Sequence, residues 1–421
     1  MNVLFLTISP LQRINYSGIY TDLMRKFRDE GHQVYIVSSV ERRQGTPTNY
    51  KEVDGVHILS VKTLNLQKTN VVEKGVGQLL VETQYKKAIK KYLGGINFDL
   101  ILYTTPPITF PKVISYLKGR NKQAKTYLLL KDIFPQNAVD IGMLQGMPVQ
   151  GSRFKVQGWV ARAKYQLYKY FRKKEVELYK LSDRIGCMSP ANVEYLLKHN
   201  PFIDRGNVCV APNSYEFKEY TVIDEIKKKE IREKYGLPID KTVFIYGGNL
   251  GKPQGIAFLI DCLKDITLDK QLDERAYFLI VGKGTERQKL LTWYNEAKPN
   301  NVSVLDFIPK EDYDLLARSC DVGLIFLDYR FTIPNYPSRL LPYLKEKKPV
   351  IAATDPNTDV GTIAEKNGYG LWCPSNDVLS FVQCVKKMLQ SDLVQMGENG
   401  YQFYKDNYTV EHTYNAIVSH V

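Results

Sequence analysis

The sequence of 421 residues has no hydrophobic run long enough to cross a membrane. Its apolar runs have the length of single strands, whereas a transmembrane helix needs roughly 20 apolar residues. The first residues also lack the basic leader and the cleavage site of a signal peptide. We therefore interpret residues 3–8 as the first buried strand.

Cysteine and histidine are scarce, with six and five residues. The cysteines form no Cys-x-x-Cys pair, and the histidines are isolated from other potential metal ligands. A chain of this length also needs no disulfide to hold its core. The sequence therefore predicts reduced cysteines, a cytoplasmic protein and no metal site.

Acidic residues are scarce in the first half of the chain. Residues 1–200 contain 31 Lys and Arg against 15 Asp and Glu, whereas residues 201–421 contain 27 against 30. Two stretches, 85–93 and 153–180, interleave these cations with aromatic residues, as suits an anionic membrane surface at roughly 1 kcal/mol per cation. A solvated basic face and a nucleic-acid site are the alternatives. Because the second half is slightly negative, we expect a membrane partner and no nucleic acid.

Both halves alternate short β-rich apolar runs with longer amphipathic stretches, which is typical of βα units around a parallel sheet. The runs lie at 3–8, 33–38, 57–61, 100–103, 126–130, 184–188 and 208–211, then at 243–246, 277–281, 302–305, 322–326, 349–353 and 370–372.

This pattern predicts two doubly wound α/β domains, at 1–212 and 241–400. A linker at 213–240 joins them and contains a charged, solvated helix at 226–234. We expect the last helix, at 401–421, to pack back on the first domain. Open α/β sheets bind ligands at the carboxyl ends of their strands. We therefore expect function in a cleft between the two sheets.

A glycine-rich turn, YGGNLGKPQG at 246–255, follows a predicted strand and precedes an apolar helix. Glycines such as Gly248 permit close backbone approach, the helix N-terminus favours negative charge, and Lys252 adds a cation, so a diphosphate fits. The spacing is not that of a P-loop, and a glycine turn alone is weak evidence. A second turn, Gly282-Lys283-Gly284, follows the next strand and is either the rim of a nucleoside site or a simple tight turn.

The segment DYRFTIPNYPSRLL at 328–341 follows a buried strand and ends with Ser338 and Arg339 at a predicted helix start. A cation at a helix N-terminus opposes the helix dipole and needs an anion nearby. We therefore expect backbone amides and the Arg339 guanidinium to bind phosphate oxygens.

Polar residues also follow predicted strands in the first half. Asp132 follows the strand at 126–130 and either contacts sugar hydroxyls and assists proton transfer, or caps a turn. Thr105 ends the neighbouring strand, and we expect it to line the same side of the cleft as Asp132. Ser17 and Gly18 begin a helix at 19–31 and either offer open amides to an anion or a sugar hydroxyl, or form a plain N-cap.

The order of these motifs resembles the retaining GT-B glycosyltransferases of family four, especially bacterial members that build O-antigen, capsule and related surface polysaccharides. The similar segments cover nearly all of the chain and are GHQVYIVS, TTPP, KDIFPQ, IGCMSPANVEYL, VAPNS, YGGNLGKPQGI, LIVGKGTERQKL, LDFIPKEDYDLLARSCDVGLI and PSRLLPYLKEKKPVIA. The resemblance implies two Rossmann-like domains and transfer of a sugar, without cofactor or metal, from a UDP-sugar or similar nucleotide sugar to a lipid-linked glycan. It also implies a peripheral position on the inner face of the plasma membrane.

The resemblance assigns roles to residues in both halves. It implies that the donor site comprises Gly248, Asn249, Lys252, Ser338 and Arg339 for the diphosphate and Gly282, Lys283, Gly284, Phe307 and Ile308 for the base. Asp132, Arg339 and Lys252 are the catalytic candidates, and Ser17, Gly18 and Thr105 lie on the acceptor side.

The sequence departs from the family in two places. Members commonly carry Arg where Asn249 stands and Lys near Gln254. Their Glu-x7-Glu pair, whose second Glu normally hydrogen-bonds the donor ribose, falls on Pro334 and Pro342. A scaffold without transfer activity is therefore one alternative. A nucleotide-sugar epimerase is another, although such enzymes usually need acidic groups and Asp132 stands nearly alone.

Overall fold

The structure is a computed structural model that describes residues 1–66, 71–147, 156–219 and 223–419. The chain forms two compact units, one comprising Met1–Phe217 with Tyr408–Val421 and the other Lys218–Asn407. Each unit is built around its own sheet.

The first sheet has the strand order β3-β4-β2-β1-β5-β6-β7-β8, and all of its pairs are parallel except β3 with β4. Its strands are β1 (Asn2–Leu6), β2 (Gln33–Glu41), β3 (Asn49–Val53), β4 (Val56–Thr63), β5 (Leu100–Thr104), β6 (Lys125–Leu130), β7 (Arg184–Cys187) and β8 (Val208–Val210). The helices between them are α1 (Ile19–Asp29), α2 (Val71–Tyr92), α3 (Pro111–Arg120), α4 (Gln136–Asp140), α5 (Val156–Leu181) and α6 (Pro190–His199).

The second sheet is parallel throughout, in the order β11-β10-β9-β12-β13-β14. Its strands are β9 (Thr242–Asn249), β10 (Ala276–Lys283), β11 (Val302–Leu305), β12 (Val322–Phe326), β13 (Val350–Thr354) and β14 (Gly370–Pro374). The accompanying helices are α7 (Glu225–Lys234), α8 (Ile256–Leu268), α9 (Lys270–Arg275), α10 (Arg287–Ala297), α11 (Lys310–Ser319), α12 (Leu340–Lys345), α13 (Val360–Lys366), α14 (Val378–Met388) and α15 (Leu393–Asn407).

The chain then returns to the first unit with α16 (Val410–Val418), which packs against α1. His32 follows α1, and its Nε2 lies 2.9 Å from the hydroxyl oxygen of Tyr414. The Thr413 hydroxyl donates to the Pro212 carbonyl at 3.0 Å. The end of the chain is thus held on the first unit by both packing and hydrogen bonds.

The apolar runs of the sequence became strands because most of these strands are buried on both faces. The predicted α/β class with two parallel sheets is confirmed, and the predicted strands are all present. The strand β3 was missed because it is a half-exposed edge strand with a polar sequence. The Asp54-Gly55 pair that joins it to β4 has φ angles of 54° and 73°, and such a pair is a recognised hairpin signal.

The helix α7 is exposed over most of its length, as the sequence predicts, but one side of it is buried. It packs against α11, and Arg232 within it is only 3% exposed. The Arg232 guanidinium donates to the Ser319 carbonyl and pairs with Asp321 at 2.6 Å. Arg232 and Asp321 thus form a largely buried ion pair in the second unit, and Asp321 also accepts the amide of Val243.

Candidate active site

Glycine-containing turns follow the carboxyl ends of the neighbouring strands β9 and β10. The strands stay paired to their last residues, where Gly248 lies opposite Gly282 and Asn249 opposite Lys283. The φ angles of Gly248 and Gly282 are 131° and 152°, and a Cβ on Gly282 would overlap the Gly248 carbonyl oxygen. The two turns predicted from the sequence therefore form one tightly packed structure at the edge of the sheet.

Arg339 reaches this turn from the start of α12. Its guanidinium lies over the ring of Tyr246, 4.3 Å from the ring centroid. A Cβ on Gly248 would stand only 3.3 Å from Nη2 of Arg339. The 328–339 loop and the glycine turn, which are far apart in sequence, thus meet at one cation.

The charge of Arg339 has no acidic partner among the described residues. Its side chain is half-buried, and Nη1 is buried without a hydrogen-bond partner. The neighbouring tyrosines carry no compensating charge at neutral pH, since burial raises the pKa of Tyr246 and raises that of Tyr343 to about 12 despite the opposing charge of Arg339. Burying an unpaired charge is costly. The position is therefore suited to an anion.

The glycine turn also contains a pair of neutral side chains, Asn249 and Gln254. Asn249 Nδ2 donates to Gln254 Oε1 at 2.8 Å, and the Gly251 amide donates to the same oxygen at 3.2 Å. The two positions that are cationic in the resembled family thus form a neutral pair that braces the turn. Lys252 is exposed, and none of the ion pairs between described residues includes it. Ser338 is also exposed.

An exposed aromatic ring lies beside the second turn. Phe307 follows β11, is 65% exposed, and its ring centroid lies 5.7 Å from Nζ of Lys283. Lys283 pairs with Asp306 at 3.5 Å, so its charge is already partly balanced. Gly284 lets the chain pass against the backbone of Leu250, where a Cβ would overlap. The exposed Phe307 ring offers an aromatic face of the kind on which a base stacks, and the next residue, Ile308, is half-buried.

In the first unit, Thr105 holds the segment that carries Asp132. The Thr105 hydroxyl accepts the amides of Lys131 and Asp132 at 3.1 and 3.2 Å and donates to the Asp132 carbonyl at 3.1 Å. Asn137 Nδ2 donates to Asp132 Oδ1 at 2.6 Å. Burial raises the pKa of Asp132 to about 6, against the hydrogen bond from Asn137 and with a small contribution from the charge of Glu175. A carboxyl group with this pKa exchanges protons close to neutral pH.

Sequence reasoning missed the neighbouring Lys131. Its Nζ donates to the Ala211 carbonyl at 2.9 Å, and burial lowers its pKa to about 7. The available signal was its place directly after a buried strand, beside Asp132.

The start of α1 differs from the open anion site considered above. The Gly18 amide donates to Asp22 Oδ1 at 2.8 Å, and the same carboxylate pairs with Arg25 at 2.7 Å. Of the two alternatives for this helix start, the open Gly18 amide is therefore excluded and the plain N-cap remains, because a carboxylate in the first turn of the helix already accepts that amide. The assignment of Ser17 to the acceptor side stays a prediction.

Two helices of the first unit, α2 and α5, expose apolar side chains. Trp159, Val160, Leu167 and Tyr170 of α5 are 38–65% exposed, and Val76, Leu79 and Leu80 of α2 are 43–45% exposed. We call these seven residues the apolar face. Glu82 of α2 and Lys174 of α5 are both buried, with Nζ and Oε2 3.9 Å apart, so the helices are close neighbours. The predicted basic stretch at 153–180 begins outside the described residues.

Within the described part of the chain, no helix has the length and apolar character needed to span a membrane. The same residues contain no group of three or more His, Cys, Asp and Glu side chains placed to hold a metal ion.

Comparison with known proteins shows that part of the chain matches a known family. Residues 227–403 match the family described as glycosyl transferases group 1. The chain is 22% identical over 347 residues to "Probable glycosyltransferase WbjE" of Pseudomonas aeruginosa, covering 81% of this chain and 78% of that protein. It is 24% identical over 192 residues to "Putative colanic acid biosynthesis glycosyl transferase WcaI" of Escherichia coli (strain K12), covering 44% and 45%.

Solved structures resemble the whole chain. Sucrose-phosphate synthase of Thermosynechococcus elongatus superposes with a TM-score of 0.73 at 14% identity, covering 99% of this chain and 97% of that one. HepE of Anabaena in complex with UDP gives a TM-score of 0.63 at 14% identity, covering 100% and 99%. Residues 227–403 thus form a glycosyl transferases group 1 domain of the family 4-like kind, and the chain is a glycosyltransferase of the GT-B fold.

Proposed function

We propose that this glycosyltransferase moves a sugar from a nucleoside diphosphate sugar, a UDP-sugar in the first instance, onto a lipid-linked glycan during synthesis of a bacterial surface polysaccharide such as O-antigen or capsule. Transfer proceeds with retention at the anomeric carbon and without a metal. The observation that carries the proposal is Arg339, a half-buried guanidinium at a glycine turn that has no acidic partner among the residues the structure describes.

The leaving group explains why such a cation is needed. Negative charge grows on the diphosphate as its bond to the sugar breaks, and fixed positive charges and dipoles lower the barrier. Arg339 supplies the charge, and α8, a 13-residue helix that begins after Gly255, directs its positive N-terminal end toward the same turn. Lys252 adds a mobile charge beside them.

The base and the sugar have separate candidate partners. The Phe307 ring and the Gly282–Gly284 turn suit the base, and the complex of HepE with UDP supports uridine as the first choice to test. Asp132, with its pKa near 6, is assigned to the transferred sugar, where its carboxylate accepts hydroxyl hydrogen bonds.

The first unit is assigned to the acceptor and to the inner face of the plasma membrane. Its apolar face lies on two neighbouring helices that also carry exposed cations, including Lys87, Lys90, Lys169 and Lys173. Apolar side chains that enter the lipid boundary and cations that meet anionic headgroups together give membrane affinity. The relative WcaI, which is named for colanic acid biosynthesis, supports an acceptor of the surface-glycan class.

The test is a transfer assay with the full chain. A panel of nucleotide sugars is incubated with lipid-linked acceptors in anionic vesicles, and nucleotide release and product mass are measured with and without EDTA. We expect product from at least one pair, unaffected by EDTA and with the donor's anomeric configuration by NMR. Arg339→Ala serves as the inactive control. Absence of both binding and product across the panel would refute the proposal.

A scaffold without transfer activity is the second candidate, favoured by the neutral Asn249–Gln254 pair and by Pro342 in place of a carboxylate. The same assay separates them, because a scaffold binds nucleotide without releasing product. An epimerase would instead convert the free nucleotide sugar in the absence of acceptor.

A further inference from the structure

The turn that follows β13 is shaped by a single buried carboxylate. Asp355 is fully buried, and its Oδ1 accepts the backbone amides of Asn357 at 2.9 Å and Thr358 at 3.1 Å. This is the geometry of an Asx turn, in which a side chain replaces a backbone acceptor. The turn lies at the carboxyl edge of the second sheet, on the same edge as the glycine turn.

The side chains of this turn hold the loop that leads to Arg339. Asn357 Nδ2 donates to the Phe331 carbonyl at 2.6 Å, and the Thr358 hydroxyl donates to the Asn335 carbonyl at 2.5 Å. Two carbonyls of the 328–339 loop are therefore fixed from outside the loop, the second only four residues before Arg339.

The arrangement is costly for the fold. Oδ2 of Asp355 is buried and has no hydrogen-bond partner in the described part of the chain, and burial raises the pKa of the carboxyl to about 7. A buried acceptor left unpaired destabilises the fold, because it loses its hydrogen bonds to water. A locally unfavourable group such as the buried Asp355 carboxyl is often kept because it positions other residues at a functional site.

We propose that Asp355, Asn357 and Thr358 form a clasp that sets the backbone of the 328–339 loop and thereby aims Arg339 at the donor diphosphate. The three are positioning residues and do not touch the donor. The clasp rests on the proposed function, since it matters only if Arg339 binds a diphosphate.

The clasp is tested by removing and restoring one hydrogen bond. Thr358→Val deletes the hydroxyl at nearly constant shape, and Thr358→Ser restores it. Thr267→Val is the matched control, because the Thr267 hydroxyl donates to the Lys264 carbonyl at 2.8 Å on the exposed end of α8 in the same unit. UDP affinity is measured by calorimetry and the unfolding midpoint by thermal shift.

We expect Thr358→Val to bind UDP roughly three- to tenfold more weakly, because one hydrogen bond that orders the loop is lost. Thr358→Ser and Thr267→Val should bind like the wild type. If Thr358→Val does not fold, Asn357→Ala removes the other contact and should weaken UDP binding in the same range.

The failures are distinguishable. If the wild type binds UDP and the clasp variants bind it equally well, or if Thr358→Ser fails to restore affinity, the clasp is refuted and the donor site stands. If the wild type binds no nucleotide of the panel, the proposed function fails and the clasp fails with it.

Discussion

Replacing Arg339 with Met should separate binding from stability. Met keeps much of the side-chain length over Tyr246 but removes the charge and the buried, unpaired Nη1. Losing the cation–π contact costs about 0.5–2 kcal/mol, whereas removing an unsatisfied buried donor gains about 1–3 kcal/mol. We therefore expect the nucleotide-free protein to be as stable as the wild type or slightly more stable.

UDP binding should respond in the opposite direction. A hydrogen bond to a charged group contributes about 1.5–3 kcal/mol, so Arg339→Met should bind UDP roughly 10- to 150-fold more weakly. Calorimetry measures the affinity, and thermal shift without nucleotide measures stability.

Arg330→Met is the matched control for this experiment. Arg330 lies on the same loop but pairs with Asp328 at 2.8 Å, and its side chain is 56% exposed. It should lose little UDP affinity. The reasoning is refuted if Arg339→Met keeps UDP affinity within twofold of the wild type while its midpoint drops, because Arg339 would then be a structural residue.

Three further predictions concern the turn, the acceptor side and the membrane. Asn249→Arg replaces the neutral pair with Gln254 by a positive charge and should tighten UDP binding several-fold at low salt. Added salt should remove this gain by screening the charge. If calorimetry finds no gain at low salt, the pair lies away from the phosphates. The pKa of Asp132 is raised to about 6, above its value in the unfolded chain, so ionisation of this carboxyl destabilises the fold as pH rises from about 4 to 6. Asp132→Asn should therefore raise the thermal midpoint at pH 7 but not at pH 4. Its transfer activity should fall at least tenfold. Trp159→Glu on the apolar face should reduce sedimentation with anionic vesicles at least threefold, whereas Leu268→Glu, at an 83% exposed site in the other unit, should leave it unchanged.

Strands that are buried on both faces of their sheet could be predicted from the sequence. The strand at 322–326 has the bounds that the sequence indicates, because Asp321 precedes it and all five of its residues are apolar or small and buried. The glycosyltransferase assignment and the two-sheet fold are likewise confirmed. The edge strand β3 is half-exposed, so it leaves no such pattern.

The sequence identified which residues could form the candidate site, but it did not predict the contacts that these residues make. A sequence places Arg339 near a helix start, but its stacking on Tyr246 depends on how α12 packs against β9. The pairing of Asn249 with Gln254 similarly requires the folded turn. The use of the Gly18 amide was the exception, since Asp22 stands four residues later and could have been recognised as its acceptor.

The changed turn has a consequence for how charge stabilises the leaving diphosphate. With the Asn249 and Gln254 positions neutral, the positive side chains at the turn include the held Arg339 and the exposed Lys252. Two further cations there are already engaged, since Lys283 pairs with Asp306 at 3.5 Å and Arg287 Nε donates to the Gly282 carbonyl at 3.1 Å. A charge that is already oriented stabilises the transition state without reorganisation, whereas a mobile one must first be ordered. Arg339 is oriented by the Tyr246 ring and by a loop whose carbonyls are fixed from the next turn. The neutral turn thus makes rigidity of the 328–339 loop, rather than the number of cations, the property on which the proposed chemistry depends.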